Sequence, residues 1–179
     1  MAEVRPRVFL ASRNAKKLAE MQRILEPFVP HIEVLGLDDV EHYDEPAETE
    51  PTFAGNALLK ARAGVAATGL PALADDSGLC VDALDGAPGL YSARYAGEPS
   101  DAARNIEKLL AALDGMPEAQ RGAHFHCTLV LLRHADDPRP LIAQGEWHGR
   151  VLAARRGTGG FGYDPIFLLS ELGKTMAEL

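Results

Sequence analysis

The sequence predicts an α/β fold built on a mixed sheet, and three observations predict it. Short apolar runs bounded by turn residues alternate with helical patterns in the first half of the chain. The second half carries two long strand patterns on either side of an Asp136-Asp137-Pro138 turn, which reads as an antiparallel pair. Composition is that of an ordinary globular domain, with 46% hydrophobic and 25% charged residues in 179. A single domain of this length buries roughly two thirds of its unfolded surface and needs no disulfide or metal staple.

In chain order, residues 7–11 form a buried first strand, and Ser12-Arg13-Asn14 turns into a helix with Asn14 as its N-cap. Leu18, Met21, Leu25 and Phe28 recur at helical spacing, and Pro27 and Pro30 end the pattern. Residues 32–35 are a second short strand, and the acidic, proline-containing residues 38–51 a loop. Thr52 caps the next helix, whose buried stripe is Phe53, Ala57, Ala61 and Val65 and whose end is Gly69. Thr52, Asn56 and Lys60 share a neighbouring polar stripe at i, i+4, i+8. Residues 71–75 and 78–84 are predicted as two strands with a turn between them, and residues 86–89 as another turn. Ser100 is expected to cap a third helix, with Ile106, Leu109, Leu110 and Leu113 facing the core. Residues 125–133 and 140–147 complete the sheet.

Several function classes are excluded or disfavoured at this level. A net charge of −8 without a basic stripe argues against nucleic acid as partner, although a metal and a few cations can still hold a small polyanion. No apolar run reaches the roughly 20 residues of a membrane helix, so no membrane partner is expected. Within residues 1–12 the apolar core is only Val8, Phe9, Leu10 and Ala11, short of the about 7–15 residues of an export signal, and a cytoplasmic protein is expected. Cys80 and Cys127 sit in no metal or redox spacing and are expected to be reduced core thiols.

Four segments carry chemistry. The strand-turn-helix through Ser12, Asn14 and Lys17 offers free N–H groups, a positive dipole end, neutral donors and a cation, all suited to an anion. The acidic run Glu48-Thr49-Glu50 leads into Asn56 and Lys60, placing a carboxylate for a hard cation and a lysine for a phosphate. Asp75 and Asp76 close an apolar strand before Ser77-Gly78. Neighbours on a strand point to opposite faces, so one faces the site as metal ligand or base while the other ties down the turn. Glycines on both sides of Phe161, in Gly159-Gly160-Phe161-Gly162-Tyr163-Asp164, let the backbone present that ring to a base. His124 and His126 alternate on one strand with no third ligand at metal spacing, and are expected to be packed or hydrogen-bonded. Residues 147–150 are expected to be a strand end over the core, and Ser77 lacks a nucleophile-elbow surround.

Taken in order and at matching spacing, these segments resemble the inosine triphosphate pyrophosphatase family along nearly the whole chain. The resemblance is carried by residues 12–14 with Lys17, by Glu48-Thr49, Thr52-Phe53, Asn56-Ala57 and Leu59-Lys60-Ala61-Arg62. It continues in residues 74–79, 86–89 and 92–95, and in residues 159–165. It implies an elongated mixed sheet flanked by helices, with two lobes, a nucleotide cleft between them, and a homodimer. It also implies a purine nucleoside triphosphate (dITP, ITP or XTP) as substrate and Mg2+ as cofactor. By resemblance, Ser12, Asn14 and Lys17 bind phosphates, Glu48 and Asp76 hold the metal, and Lys60 acts on the phosphate chain. Asp76 also accepts the proton of the attacking water, Ser77 touches the nucleotide, Phe161 stacks on the purine, and Gly162, Tyr163 and Asp164 shape that wall.

Two departures stand out. The family often has Thr-Gly-Asn where this chain has Ser12-Arg13-Asn14, with a glycine just before the lysine matching Lys17, where this chain has Lys16. The family also continues past the residues matching Leu179 to a lysine and a Ser-His-Arg that meet the purine's six-oxo edge, so base discrimination is expected from residues beyond Leu179. The rival readings are a Maf-like pyrophosphatase for other modified nucleotides and a non-catalytic nucleotide sensor. The presence of Glu48, Asp75 and Asp76 speaks against the sensor.

Overall fold

The computed structural model describes residues 5–179, so the first four residues of the stretch weighed as an export signal lie outside it. The protein has a mixed α/β fold with a seven-stranded sheet ordered β2-β1-β3-β4-β5-β6-β7. The strands are β1 (Arg7–Leu10), β2 (Glu33–Leu35), β3 (Ala72–Val81), β4 (Gly122–Leu132), β5 (Leu141–Val151), β6 (Phe167–Leu169) and β7 (Lys174–Thr175). The helices are α1 (Ala15–Leu25), α2 (Phe53–Thr68) and α3 (Ala102–Ala112). β1 pairs in parallel with β2 and β3, whereas β5–β6 and β6–β7 are antiparallel. Among the described residues no helix is long and apolar enough to cross a membrane.

The chain forms two compact units. The first comprises Met1–Asp76 and Thr128–Gln144, the second Ser77–Cys127 and Gly145–Leu179. In the first unit, strand alternation sorts side chains between two helices. Val8, Leu10 and Leu73 pack with Leu18, Met21 and Leu25 of α1. Phe9, Ala72 and Ala74 pack with Ala57, Ala61 and Val65 of α2. Odd-numbered residues of β3 in this unit thus belong to the α1 side and even-numbered ones to the α2 side. Asn14 caps α1 by accepting from the Lys16 and Lys17 amides, and Thr52 caps α2 by accepting from Gly55. Phe28 falls past the end of α1 and is 81% exposed, because Pro27 stops the helix before its stripe reaches that position. The acidic loop contains one short turn of 3-10 helix, Leu37–Asp39.

In the second unit, Ile106, Leu109 and Leu113 of α3 pack with Leu79, Val81, Val151, Ile166 and Phe167. Each such fully buried side chain contributes about 1.5–3 kcal/mol relative to exposure. Asp101, not Ser100, caps α3 by accepting from the Arg104 amide, while the Ser100 hydroxyl donates to the Ala93 carbonyl.

The largest departure from the sequence reading is β3. It runs unbroken from Ala72 to Val81, without the turn expected at residues 76–77. Gly78 is a glycine for another reason: a Cβ there would lie 2.3 Å from the Gly89 carbonyl oxygen. The residue permits close backbone approach inside a strand rather than marking a turn. Trp147 lies within β5 and is 49% exposed, not over the core. Of the two free thiols, Cys80 is half-buried and Cys127 is exposed rather than in the core.

Candidate active site

Continuous β3 explains how adjacent carboxylates acquire different partners. Asp75 follows Leu73 onto the α1 side, and its Oδ2 lies 2.7 Å from Lys17 Nζ. Asp76 follows Ala72 and Ala74 onto the α2 side, where its Oδ1 lies 3.4 Å from Lys60 Nζ. Glu48, from the acidic loop, reaches the same lysine at 2.6 Å. Lys60 therefore bridges two carboxylates and also donates to the Asp75 carbonyl at 3.3 Å. The group holds one carboxylate more than it holds lysines. Asn56, predicted on a polar stripe, is buried at 1% exposure, and its side-chain oxygen accepts from the Glu50 amide, so it anchors the acidic loop to α2.

Burial shifts the charges of this group. It pushes the Asp76 carboxyl above its ordinary value; the Glu48 carboxylate adds to this, and Lys60 and the nearby Asn56 amide pull the other way. Burial works to lower the Lys60 ammonium, but Glu48 and Asp76 outweigh it and hold the lysine above its usual value. Asp76 Oδ2 is buried and makes no hydrogen bond of standard geometry. An unmet carboxylate oxygen inside a protein costs desolvation energy unless a cation or donor reaches it.

At the start of α1, the Ser12 hydroxyl accepts from the Asn14 amide at 3.1 Å and the Asn14 side-chain oxygen accepts from Lys16 and Lys17. These bonds shape the turn without the glycine the family often carries there. The cap leaves a helix N-terminus, a dipole end and Lys17 together, the makings of an anion site. Ser12, Asn14, Lys17, Glu48, Lys60 and Asp76 all belong to the first unit.

The second unit holds a cavity of about 480 Å³, within the range of small-molecule sites. Ser77, the residue after Asp76, lines it with Leu79, Phe125, Phe161, Gly162, Tyr163 and Asp164. Phe161 is 78% exposed, a large ring on a loop with little packed against it. Its loop is held by Asp164, whose Oδ2 accepts from the Phe161 amide at 2.9 Å. Gly160, at φ 69°, makes room for that bond, since a Cβ would meet the same oxygen. Burial raises the Asp164 carboxyl, partly offset by that amide. Tyr163 is buried and its hydroxyl donates to the Ser92 carbonyl at 2.8 Å.

Two residues the sequence reading missed complete this wall. Ser92 is buried and accepts from the Leu79 amide at 2.9 Å. Asn105 is buried too, accepting from the Ala96 amide and donating to the Ala93 carbonyl. Asn105 had a legible signal, since it heads the i, i+4, i+8 stripe of Leu109 and Leu113 and a polar residue on a buried stripe needs partners. Ser92 falls within residues 92–95, which carry the family resemblance, but no local spacing pointed to its bond with β3, whose partner is 13 positions away.

With this geometry in view, comparison with known proteins decides the family. The profile of the Ham1 family matches residues 8–179. The chain belongs to the Ham1 family. A dITP/XTP pyrophosphatase of Aromatoleum aromaticum is 56% identical over 173 residues, which cover 97% of this chain and 85% of the relative. One from Erwinia tasmaniensis is 53% identical over 175 residues, 96% of this chain and 82% of that protein. The solved Ham1 protein of Coxiella burnetii superposes with a TM-score of 0.89 at 44% identity, covering 97% of this chain and 87% of the other. The Ham1 likeness thus extends over both the charged group and the apolar cavity.

Proposed function

We propose that this chain hydrolyses dITP, ITP and XTP to the nucleoside monophosphate and pyrophosphate, using Mg2+, as a cytoplasmic homodimer. The observation that carries the reading is the convergence of Glu48 and Asp76 on one lysine, with Asp76 Oδ2 buried and without a hydrogen bond of standard geometry. The name shared by its relatives, dITP/XTP pyrophosphatase, supplies the substrate class. The residues fit a hard cation. Two carboxylates, with phosphates and water completing the shell, are the usual protein contribution to Mg2+. Glu48 and Asp76 would hold it, and when bound it neutralises phosphate charge and orients the phosphate oxygens.

The chain's own groups do the rest. Ser12, Asn14, Lys17 and the first turn of α1 bind the phosphates, with Lys17 steadied by Asp75. Lys60 meets the phosphate chain and offsets charge developing on the leaving pyrophosphate. Asp76 accepts the proton of the water attacking the α-phosphorus, a role its raised carboxyl suits. Ser77 contacts the nucleotide, and Phe161 stacks on the purine above a wall made by Gly162, Tyr163 and Asp164. A homodimer is supported by β5, where Leu141, Ile142 and Trp147 are large apolar residues in an exposed stretch.

The test is a product assay over dITP, XTP, dATP and dTTP, with and without Mg2+. The expected result is Mg2+-dependent release of pyrophosphate from dITP and XTP. Preference for dTTP would move the assignment to a Maf-like enzyme, and nucleotide binding without turnover would make the protein a sensor.

A further inference from the structure

A second cluster of ligating side chains lies on the two long strands, within the second unit. His124 and His126 occupy alternate positions of β4 and therefore share a face. Glu146 and His148 do the same on β5, the neighbouring strand of the sheet. Sequence spacing offered the two histidines no third ligand; strand pairing supplies it. Glu146 Oε1 lies 3.3 Å from His126 Nδ1 and 3.8 Å from His124 Nε2, and Glu146 Oε2 lies 3.3 Å from His148 Nε2. Donor atoms of His124, His126 and Glu146 all fall within 4.8 Å of one another.

We propose that His124, His126 and Glu146 form a binding site for a transition-metal ion of the Zn2+ class, distinct from the Mg2+ site and open at its fourth position beside His148. Zn–N and Zn–O bonds of about 2.0–2.1 Å place neighbouring tetrahedral ligands roughly 3.3 Å apart. The separations to Glu146 Oε1, 3.3 and 3.8 Å, and the remaining edge, within 4.8 Å, close to that length by side-chain adjustment. One carboxylate suffices to pair one imidazolium, so a glutamate among three rings has more partners than an ion pair uses. Two imidazole nitrogens and a carboxylate oxygen are, by contrast, a common donor set for zinc. Imidazole also selects Zn2+, Cu2+ or Ni2+ over Mg2+, whose preferred ligands are oxygens.

The strands give such an ion a consequence. Phe125 lies between the two histidines and so faces the other side of β4, where it lines the cavity and packs edge-on against Phe167 with centroids 4.7 Å apart. An ion tying β4 to β5 would brace the strand that supplies this wall.

The test uses the full chain, stripped of metal and then supplied with excess Mg2+ to occupy the carboxylate site. Zn2+ is titrated by calorimetry, Co2+ by visible absorption, and thermal stability is followed with and without Zn2+. The expected result is one ion per chain, tetrahedral Co2+ bands, and a higher Tm with Zn2+. Glu146→Gln and, as a second variant, His124→Gln should weaken binding at least about tenfold and abolish the bands, since even supporting groups around a metal are worth that much. Asp76→Asn should keep the bands. Absence of Zn2+ binding under excess Mg2+, bands that survive in both Glu146→Gln and His124→Gln, or bands lost in Asp76→Asn would each overturn the assignment. None of these readouts depends on which nucleotide the protein hydrolyses.

Discussion

The charged group around Lys60 and the apolar cavity around Phe161 are built in opposite ways. In the first, each functional side chain is held by another of opposite charge: Lys17 by Asp75, and Lys60 by Glu48 and Asp76. In the second, the polar side chains turn to backbone, Asp164 to the Phe161 amide and Tyr163 to the Ser92 carbonyl, while the contact surface is left to a mostly exposed ring. On the proposed reading, mutual charge would fix where a polyanion and its metal sit, so losses there fall on phosphate binding at Lys17 and on the chemical step at Asp76. Backbone-anchored walls fix only the shape of a platform, and a stacking ring tolerates any base. Losses there fall on binding.

The strongest way to break this contrast is Asp76→Asn. The substitution preserves shape and removes charge, and it should lower kcat for ITP by at least about 10²-fold with the fold intact by circular dichroism. Near-normal turnover would remove Asp76 from the chemistry.

Lys17→Ala should weaken ITP binding by roughly 10–100-fold, the worth of a charge-assisted contact, and leave inosine binding almost unchanged. Equal weakening of nucleotide and nucleoside would show that the Lys17–Asp75 pair serves folding alone.

Phe161→Ala should raise KM about tenfold for ITP and ATP alike, with kcat and Tm nearly unchanged because the ring is so exposed. A selective loss for ITP would mean that the platform reads the base.

The smallest effect expected is at Asp137, a charged residue with no place in either site. It accepts from the Arg133 side chain and amide and from the Arg139 amide, and the Arg133 guanidinium holds its carboxyl well below the usual carboxylate range. A lowered value stabilises the fold above the unfolded pKa of about 3.9, and that contribution disappears as pH falls through the folded value. Asp137→Asn should therefore lower Tm by roughly a few degrees at neutral pH, with kinetics unchanged. Thermal melts of the two proteins should converge in strong acid; a constant gap down to that limit would assign the effect to something other than ionisation.

Local signals settled much of this protein. Asn14 and Thr52 were legible as caps because a cap is a matter of residue type and the next three amides. The α2 stripe of Ala57, Ala61 and Val65 was legible from its period, and the alternation that sets Asp75 and Asp76 on opposite faces followed from strand geometry alone. Which face belongs to which helix was not in the sequence. Lys17 lies 58 positions from Asp75 and Lys60 lies 16 from Asp76, and only the packing of Leu73 with α1 and of Ala74 with α2 delivers each lysine to its carboxylate. The unbroken course of β3 through Ser77-Gly78 was hidden for the same reason: glycine reads locally as a turn, and the Gly89 carbonyl that demands it arrives from elsewhere in the chain. Glu146 became a third partner for His124 and His126 only through strand neighbours, since a ligand set across two strands has no fixed spacing in sequence. Period and capping act within a few residues and can be read along the chain; the meeting of charges depends on which surfaces are buried together, and tertiary structure alone decides that.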